Sequence, residues 1–228
     1  MAALLEIKNL SIAFRQEKGL SQAVSGASFL VQPGEIVSLV GESGSGKSIT
    51  ALSVLGLLSR QGKVTGGEIL FEGKDILKLK NRSMRSIRGG KIAMIFQDPM
   101  TSLDPTMKIG KQIAEAVRLH KAVSRAAAKH RAVELLDMVG IEEPEKRYHQ
   151  YPHEFSGGQR QRVVIAIALA ADPQILIADE PGASSKSAKR TRCFTIPAIP
   201  TPGACWPPCP PWPRTAKPST PFPARRPP

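Results

Sequence analysis

The sequence predicts an α/β domain, and three stretches carry that prediction. A short apolar, β-branched run, Glu35 to Val40, enters a glycine-rich loop, and helical apolar spacing follows from Ser48 to Leu58. A long stretch from Ile109 to about Gly140 has apolar residues at i, i+3 and i+4. Gln174 to Pro181 is then a parallel-type strand that closes on two acids, Asp179 and Glu180. Strand, glycine loop and helix in that order put a helix N-terminus under the loop, where backbone N–H groups converge on an anion.

The remaining elements fall into place between these. Leu4 to Phe14 alternates as a strand, and Ala23 to Val40 reads as two strands joined at the Pro33-Gly34 turn. Gly66 to Ile76 is a further strand and turn. The basic stretch Lys80 to Gly90 forms a short surface helix ending at Gly89, and Lys91 to Gln97 is another buried-type strand. Gln97 to Pro105 is a proline-punctuated loop. Two helices follow within 109–140, the second stopped by Gly140. Gly158 to Ala171 is apolar on more than one face and is expected to be buried.

The loop Gly41 to Ser48, GESGSGKS, fits the phosphate-loop pattern G-x-x-x-x-G-K-[ST]. Gly44 and Gly46 let the backbone curl so that its N–H groups face phosphate oxygens. Lys47 supplies a charge near the β- and γ-phosphates, and the Ser48 hydroxyl is placed to ligate Mg²⁺. The candidate cradle is Gly41, Glu42, Ser43, Gly44, Ser45, Gly46, Lys47, Ser48 and Ile49. At the C-terminal end of the Gln174–Pro181 strand, Asp179 can hold Mg²⁺ through water, and Glu180 is placed to polarise an attacking water.

Phe155 to Arg162, FSGGQRQR, runs a serine, two glycines and a glutamine into a buried-type helix, offering N–H groups and a hydroxyl to an anion. This stretch resembles the signature motif of ATP-binding cassette (ABC) ATPases, and the phosphate loop, Gln97 and the Asp179-Glu180 pair stand in the order of that family. The wording QDPMTSLDP and YPHEFSGGQRQR is similar to the subgroup powering uptake of dipeptides, oligopeptides, glutathione and nickel. The resemblance covers residues 1–181. It implies a P-loop ATPase of ABC type with an antiparallel β-subdomain and an inserted helical subdomain over about 109–171, incomplete at its C-terminus.

The same resemblance implies roles. Glu180 would be the general base, with Mg²⁺ held by Ser48, Gln97 and Asp179. Ser156, Gly157, Gly158 and Gln159 would meet the γ-phosphate of ATP on a second ATPase subunit, so a homo- or heterodimer is expected. Gln97 would relay the state of that phosphate to transmembrane permease subunits, fed by an extracytoplasmic substrate-binding protein. Phe14 is a candidate for stacking on adenine, with plain packing at a strand end as the alternative. The expected place is the cytoplasmic face of the inner membrane.

Composition limits the rivals. Of 32 Lys/Arg, 8 lie in residues 182–228, and none of the 19 Asp/Glu does. A nucleic-acid reading of the whole chain would therefore rest on that tail, and no nucleic-acid partner is expected. No apolar run reaches the ~18 residues of a transmembrane helix, and the N-terminus lacks the pattern of a signal peptide. A cassette of DNA repair would carry coiled coils between Gln97 and Ser156, where no heptad repeat is found. His120, His130, His149 and His153 fit no zinc spacing and are expected to be solvated.

The resemblance breaks after Pro181. The family continues with a D-loop, a strand and a switch histidine, whereas this chain reads GASSKSAKRTRCF and then a proline-rich run. No histidine follows His153, and the tail holds 13 of the 20 prolines and all three cysteines. Prolines remove ladder donors, so the tail is expected to be disordered and to supply no strand, which would leave the Gln174–Pro181 strand without a neighbour. Proline-rich recognition, a metal site at Cys193, Cys205 and Cys209, and a change of reading frame near Pro181 are the readings of the tail. Poor turnover follows from the missing motifs, with an ATP-binding, hydrolysis-deficient fragment as the alternative function.

Overall fold

The computed structural model describes residues 3–17, 19–96 and 102–179, together with the backbone of 191–196. Two four-stranded sheets organise it. The first is antiparallel, in the order β2-β1-β4-β5, from β1 (Leu5–Gln16), β2 (Gly19–Val31), β4 (Gly62–Phe71) and β5 (Lys74–Asp75). The second runs β3-β8-β7-β6, from β3 (Ser38–Gly41), β6 (Ile92–Ile95), β7 (Ile175–Asp179) and β8 (Thr191–Ile196). The Pro33-Gly34 turn passes the chain from one sheet to the other, so β2 and β3 do not pair with each other.

Strand β1 shows how local sequence sets the fold. Leu5 and Ile7 face the core, then the phase shifts and Leu10 and Ile12 face it. A strict period of two would have turned Leu10 outward. The register breaks between Ile7 and Leu10, where Asn9 takes a left-handed φ of 47° and its N–H donates to Ser28 Oγ at 2.8 Å. The bulge absorbs one residue and returns the apolar set to the inside.

Helix α1 (Lys47–Val54) follows β3, and α2 (Asn81–Ile87) precedes β6. Helix α1 is shorter than its apolar spacing predicts. Gly56, at φ 60°, ends it, with the Leu57 N–H returning to Leu52 O at 2.9 Å. The helical half holds α3 (Ile109–His120), α4 (Arg125–Met138), α5 (Pro144–Arg147) and α6 (Gly157–Ala168). No side chain caps α3; Tyr148 O and Gln150 O accept from the N–H groups of Gly110 and Ile109 instead. Among the described residues, no helix is long and apolar enough to cross a membrane.

Two apolar cores share strands β6 and β7. Leu176 and Ala178 join the core built by α3, α4 and α6, while Ile175 and Ile177 join the one under the first sheet and α1. Strand β6 divides in the same way, with Ala93 and Ile95 on one side and Ile92 on the other. A strand buried on both faces needs a continuous apolar run, which is why Ile175 to Ala178 has no polar alternation.

Two expectations fail here. The apolar run Glu35–Val40 has the pattern of a buried strand, yet Ile36, just before β3, is 60% exposed and Val40, within it, 56%. Residues 191–196, expected to supply no strand, form β8, which lies antiparallel between β3 and β7. Strand β7 therefore has a neighbour on both sides, parallel β6 and antiparallel β8. The physical reason is local: TRCFTI contains no proline, and the proline-rich run that forbids a ladder starts only after it, at Pro197.

Candidate functional site

The site is assembled where β3 and β7 end. Gly41 closes β3, and the loop turns into α1 through Gly44 and Gly46, at φ 82° and 88°. Both values lie in the left-handed region that glycine alone takes at no cost. Gly46 is also held by space. A Cβ there would lie 2.7 Å from Val24 Cγ2 and 2.8 Å from Ala23 O, so the loop rests directly on β2. Gly46 O accepts from both the N–H and the hydroxyl of Thr50, which is buried, at 2.8 and 2.9 Å.

Lys47 is only 9% exposed, and its ammonium lies inside the loop. It donates to Glu42 O at 2.6 Å, Gly41 O at 2.9 Å and Ser45 Oγ at 3.1 Å. These three acceptors match the three N–H bonds of the head group, so the charge is held at the mouth of the helix by neutral oxygens, with no carboxylate partner among the described residues. A phosphate reaching the loop would exchange some of these neutral contacts for stronger charge-assisted ones.

The next residue makes the long-range link. Ser48 Oγ donates to Asp179 Oδ1 at 2.9 Å, across 131 residues of sequence. A hydroxyl from the first turn of α1 and a carboxylate from the end of β7 thus meet beside the Lys47 ammonium. The pair offers hard oxygen donors, and Mg²⁺ needs only one or two of these from protein, taking the rest from phosphates and water. The donor set fits that cation.

Ser156, Gly157, Gly158 and Gln159 lie at the N-terminus of α6, with the first three exposed. Ser156 Oγ accepts from Gln159 N at 3.3 Å, and Gln159 Oε1 accepts from Ser156 N at 3.0 Å. This capping box was legible as a serine and a glutamine three residues apart, yet the sequence reading assigned both residues only to an anion. A Cβ added at Gly157 or Gly158 would meet open space. The helix end therefore faces outward, on an element that packs against α3, α4 and β6. Glu180 and Gln97 fall outside the described residues.

Phe14 is half-buried near the end of β1, its ring against Gly62 of β4. The histidines are not uniformly solvated. His130 is exposed and pairs with Glu134 at 3.0 Å, and His149 and His153 are exposed. His120 instead packs against the Gly89-Gly90 turn, and burial pushes its pKa down. Among the described residues no group of three or more His, Cys, Asp or Glu could hold a metal.

The comparisons agree with this geometry. The chain is 58% identical over 179 residues to the oligopeptide transport ATP-binding protein OppD of Bacillus subtilis (strain 168), covering 78% of this chain and 50% of that protein. It is 53% identical over 179 residues to the dipeptide transport ATP-binding protein DppD of Lactococcus lactis subsp. cremoris (strain MG1363), covering 78% and 51%. The chain thus spans about half the length of the curated relatives it matches. Among solved structures it is similar to the dimeric post-hydrolysis ATP-binding cassette MJ0796 bound to ADP and Pi, with a TM-score of 0.70 and 30% identity over 81% of this chain and 77% of that one. The ABC transporter family matches residues 24–183, and with the phosphate loop and Asp179 joined as described, the chain belongs to that family.

Proposed function

We propose that this chain is the ATP-binding and hydrolysing subunit of an importer of peptide type. The observation that carries the nucleotide site is the Ser48–Asp179 contact at 2.9 Å, which brings the phosphate loop and the second acidic strand to one point. Backbone N–H groups of the loop and the Lys47 ammonium bind the phosphates. Ser48 and Asp179, with Gln97, would hold Mg²⁺, which would supply charge neutralisation for the transferred phosphoryl group. Glu180 orients and deprotonates the attacking water. The N-terminal end of α6, Ser156 to Gln159 with its first three residues exposed, closes on the nucleotide of a second ATPase subunit.

The relatives are named for oligopeptide and dipeptide transport, which supports a peptide-type cargo and partners among transmembrane permease subunits and an extracytoplasmic binding protein. The dimeric form of the solved cassette supports pairing of two such subunits. We propose the cytoplasmic face of the inner membrane as its place, as a peripheral subunit beside those permease subunits. The boundary we propose is an ATPase domain over 1–181, with its helical part at about 109–171, and a proline-rich basic tail over 182–228.

Titration calorimetry with MgATP tests the site. We expect Ser48→Ala and Asp179→Asn each to weaken magnesium-dependent affinity roughly 10–100-fold, as loss of a metal ligand or its partner does. Unchanged affinity in both variants would remove the proposed magnesium site. A second reading, binding without turnover, is favoured by the sequence after Pro181, which lacks the D-loop wording and any later histidine. Steady-state phosphate release on the same protein separates the two readings.

A further inference from the structure

Gly62 starts β4, yet its backbone does not ask for glycine. It is absent from the residues at positive φ, so any L-residue could adopt its conformation. A strand glycine also costs stability, through backbone entropy and lost packing. Space explains the residue. A Cβ at Gly62 would lie 2.7 Å from Cε1, 3.1 Å from Cζ and 3.3 Å from Cδ1 of Phe14, so the ring lies across the glycine. Phe14 and Gly62 are register partners, and the adjoining bonds hold both backbones. Arg15 N donates to Gln61 O at 2.9 Å, and Gly62 N donates to Ser59 O at 2.9 Å.

This end of the β1–β2 hairpin is the end that touches the phosphate loop. Phe14 pairs with Ser21 of β2, and Ala23 and Val24 of the same strand press against Gly46. Next to Phe14 and Gly62 in the chain, Arg15, Gln16, Glu17 and Gln61 line an open, polar surface cleft.

We propose that Gly62 is a positioning residue for base recognition: it keeps free the space in which the Phe14 ring lies, and so sets the ring's orientation toward the nucleotide base. This rests on the reading that Phe14 stacks on adenine. A side chain at position 62 lifts the ring from β4 and misaligns the stacking face, while the phosphate contacts of Lys47 and Ser48 are untouched.

The test is binding of MgATP and of magnesium tripolyphosphate, which carries no base, to the full chain and to Gly62→Ala, Phe14→Ala and the double variant. Stacking is worth enough that Phe14→Ala and Gly62→Ala should each weaken MgATP about tenfold. Tripolyphosphate affinity should change less than twofold, and the double variant should bind MgATP no worse than Phe14→Ala. If Phe14→Ala leaves MgATP affinity intact, the stacking reading fails and this proposal with it. If Phe14→Ala weakens MgATP and Gly62→Ala does not, the role of Gly62 alone is overturned. Equal losses for both ligands in Gly62→Ala would also overturn it, by showing general damage. Should Gly62→Ala fold poorly, its thermal midpoint should recover in the Phe14→Ala background, and no recovery would rule out the ring as the cause.

Discussion

At the scale of single residues, the charges of this chain separate by what surrounds them. Lys47 is buried among neutral oxygens and remains available to an anion, whereas Asp172 is already engaged by Lys121 and by Arg131, the latter at 2.8 Å. Asp172 has a left-handed φ of 53° and precedes β7, so those two cations tie the C-terminal end of α3 and the middle of α4 to the strand that carries Asp179. His120 is a titratable group of another kind. Its ring fills the space over Gly89 and Gly90, and burial favours the neutral form. The folded protein then binds fewer protons at this site than the unfolded chain. Stability from His120 is complete above the unfolded pKa and is lost as pH falls through the lower folded value. Thermal melts between pH 7 and pH 5 should show the wild type losing more stability than His120→Gln. Equal losses would show that the ring is not desolvated enough to matter.

At the scale of elements, close approach rather than propensity decides several positions. Gly110 lies in the first turn of α3, where alanine would favour the helix by about 1 kcal/mol. A Cβ there would meet the Tyr148 ring at 2.0 to 2.4 Å, and Tyr148 is only 8% exposed. The same two segments are joined by the bond from Gly110 N to Tyr148 O at 3.0 Å, so the ring cannot withdraw without breaking the helix cap. Gly110→Ala should therefore destabilise the protein by about 1–3 kcal/mol, the usual cost of overpacking. Urea unfolding measures it, and a stabilised variant would show that the Tyr148 segment yields freely.

At the scale of the whole molecule, the second sheet joins the two halves of the site. Strand β3 leads into the phosphate loop and β7 ends at Asp179, but β8 lies between them. The strands that carry the two ends of the 2.9 Å Ser48–Asp179 contact are thus bridged by a ladder supplied by the basic tail. Thr195 stands opposite Ile177 in that ladder. Proline at 195 removes an N–H and fits poorly within a sheet interior, so Thr195→Pro should lower stability by about 3 kcal/mol and weaken MgATP binding with it. A variant with unchanged thermal midpoint and affinity would show that β3 and β7 keep their positions without this strand.

Much of this was legible in the one-dimensional pattern because the determinants are local. The phosphate loop is specified by glycine spacing, Lys47 and Ser48; the buried strand β7 by an unbroken apolar run; α3 and α4 by helical spacing with Gly140 as the stop. Their conformations follow from dihedral freedom and periodicity, which neighbours in sequence settle. Only the tertiary structure decided the rest. It set the phase shift at Asn9, the exposure of β3, the burial of His120 and the need for glycine at 62 and 110. It also brought Ser48 to Asp179 across 131 residues and set a tail strand between β3 and β7. Most of these depend on which atoms meet across the fold, and distance in sequence carries no information about that contact.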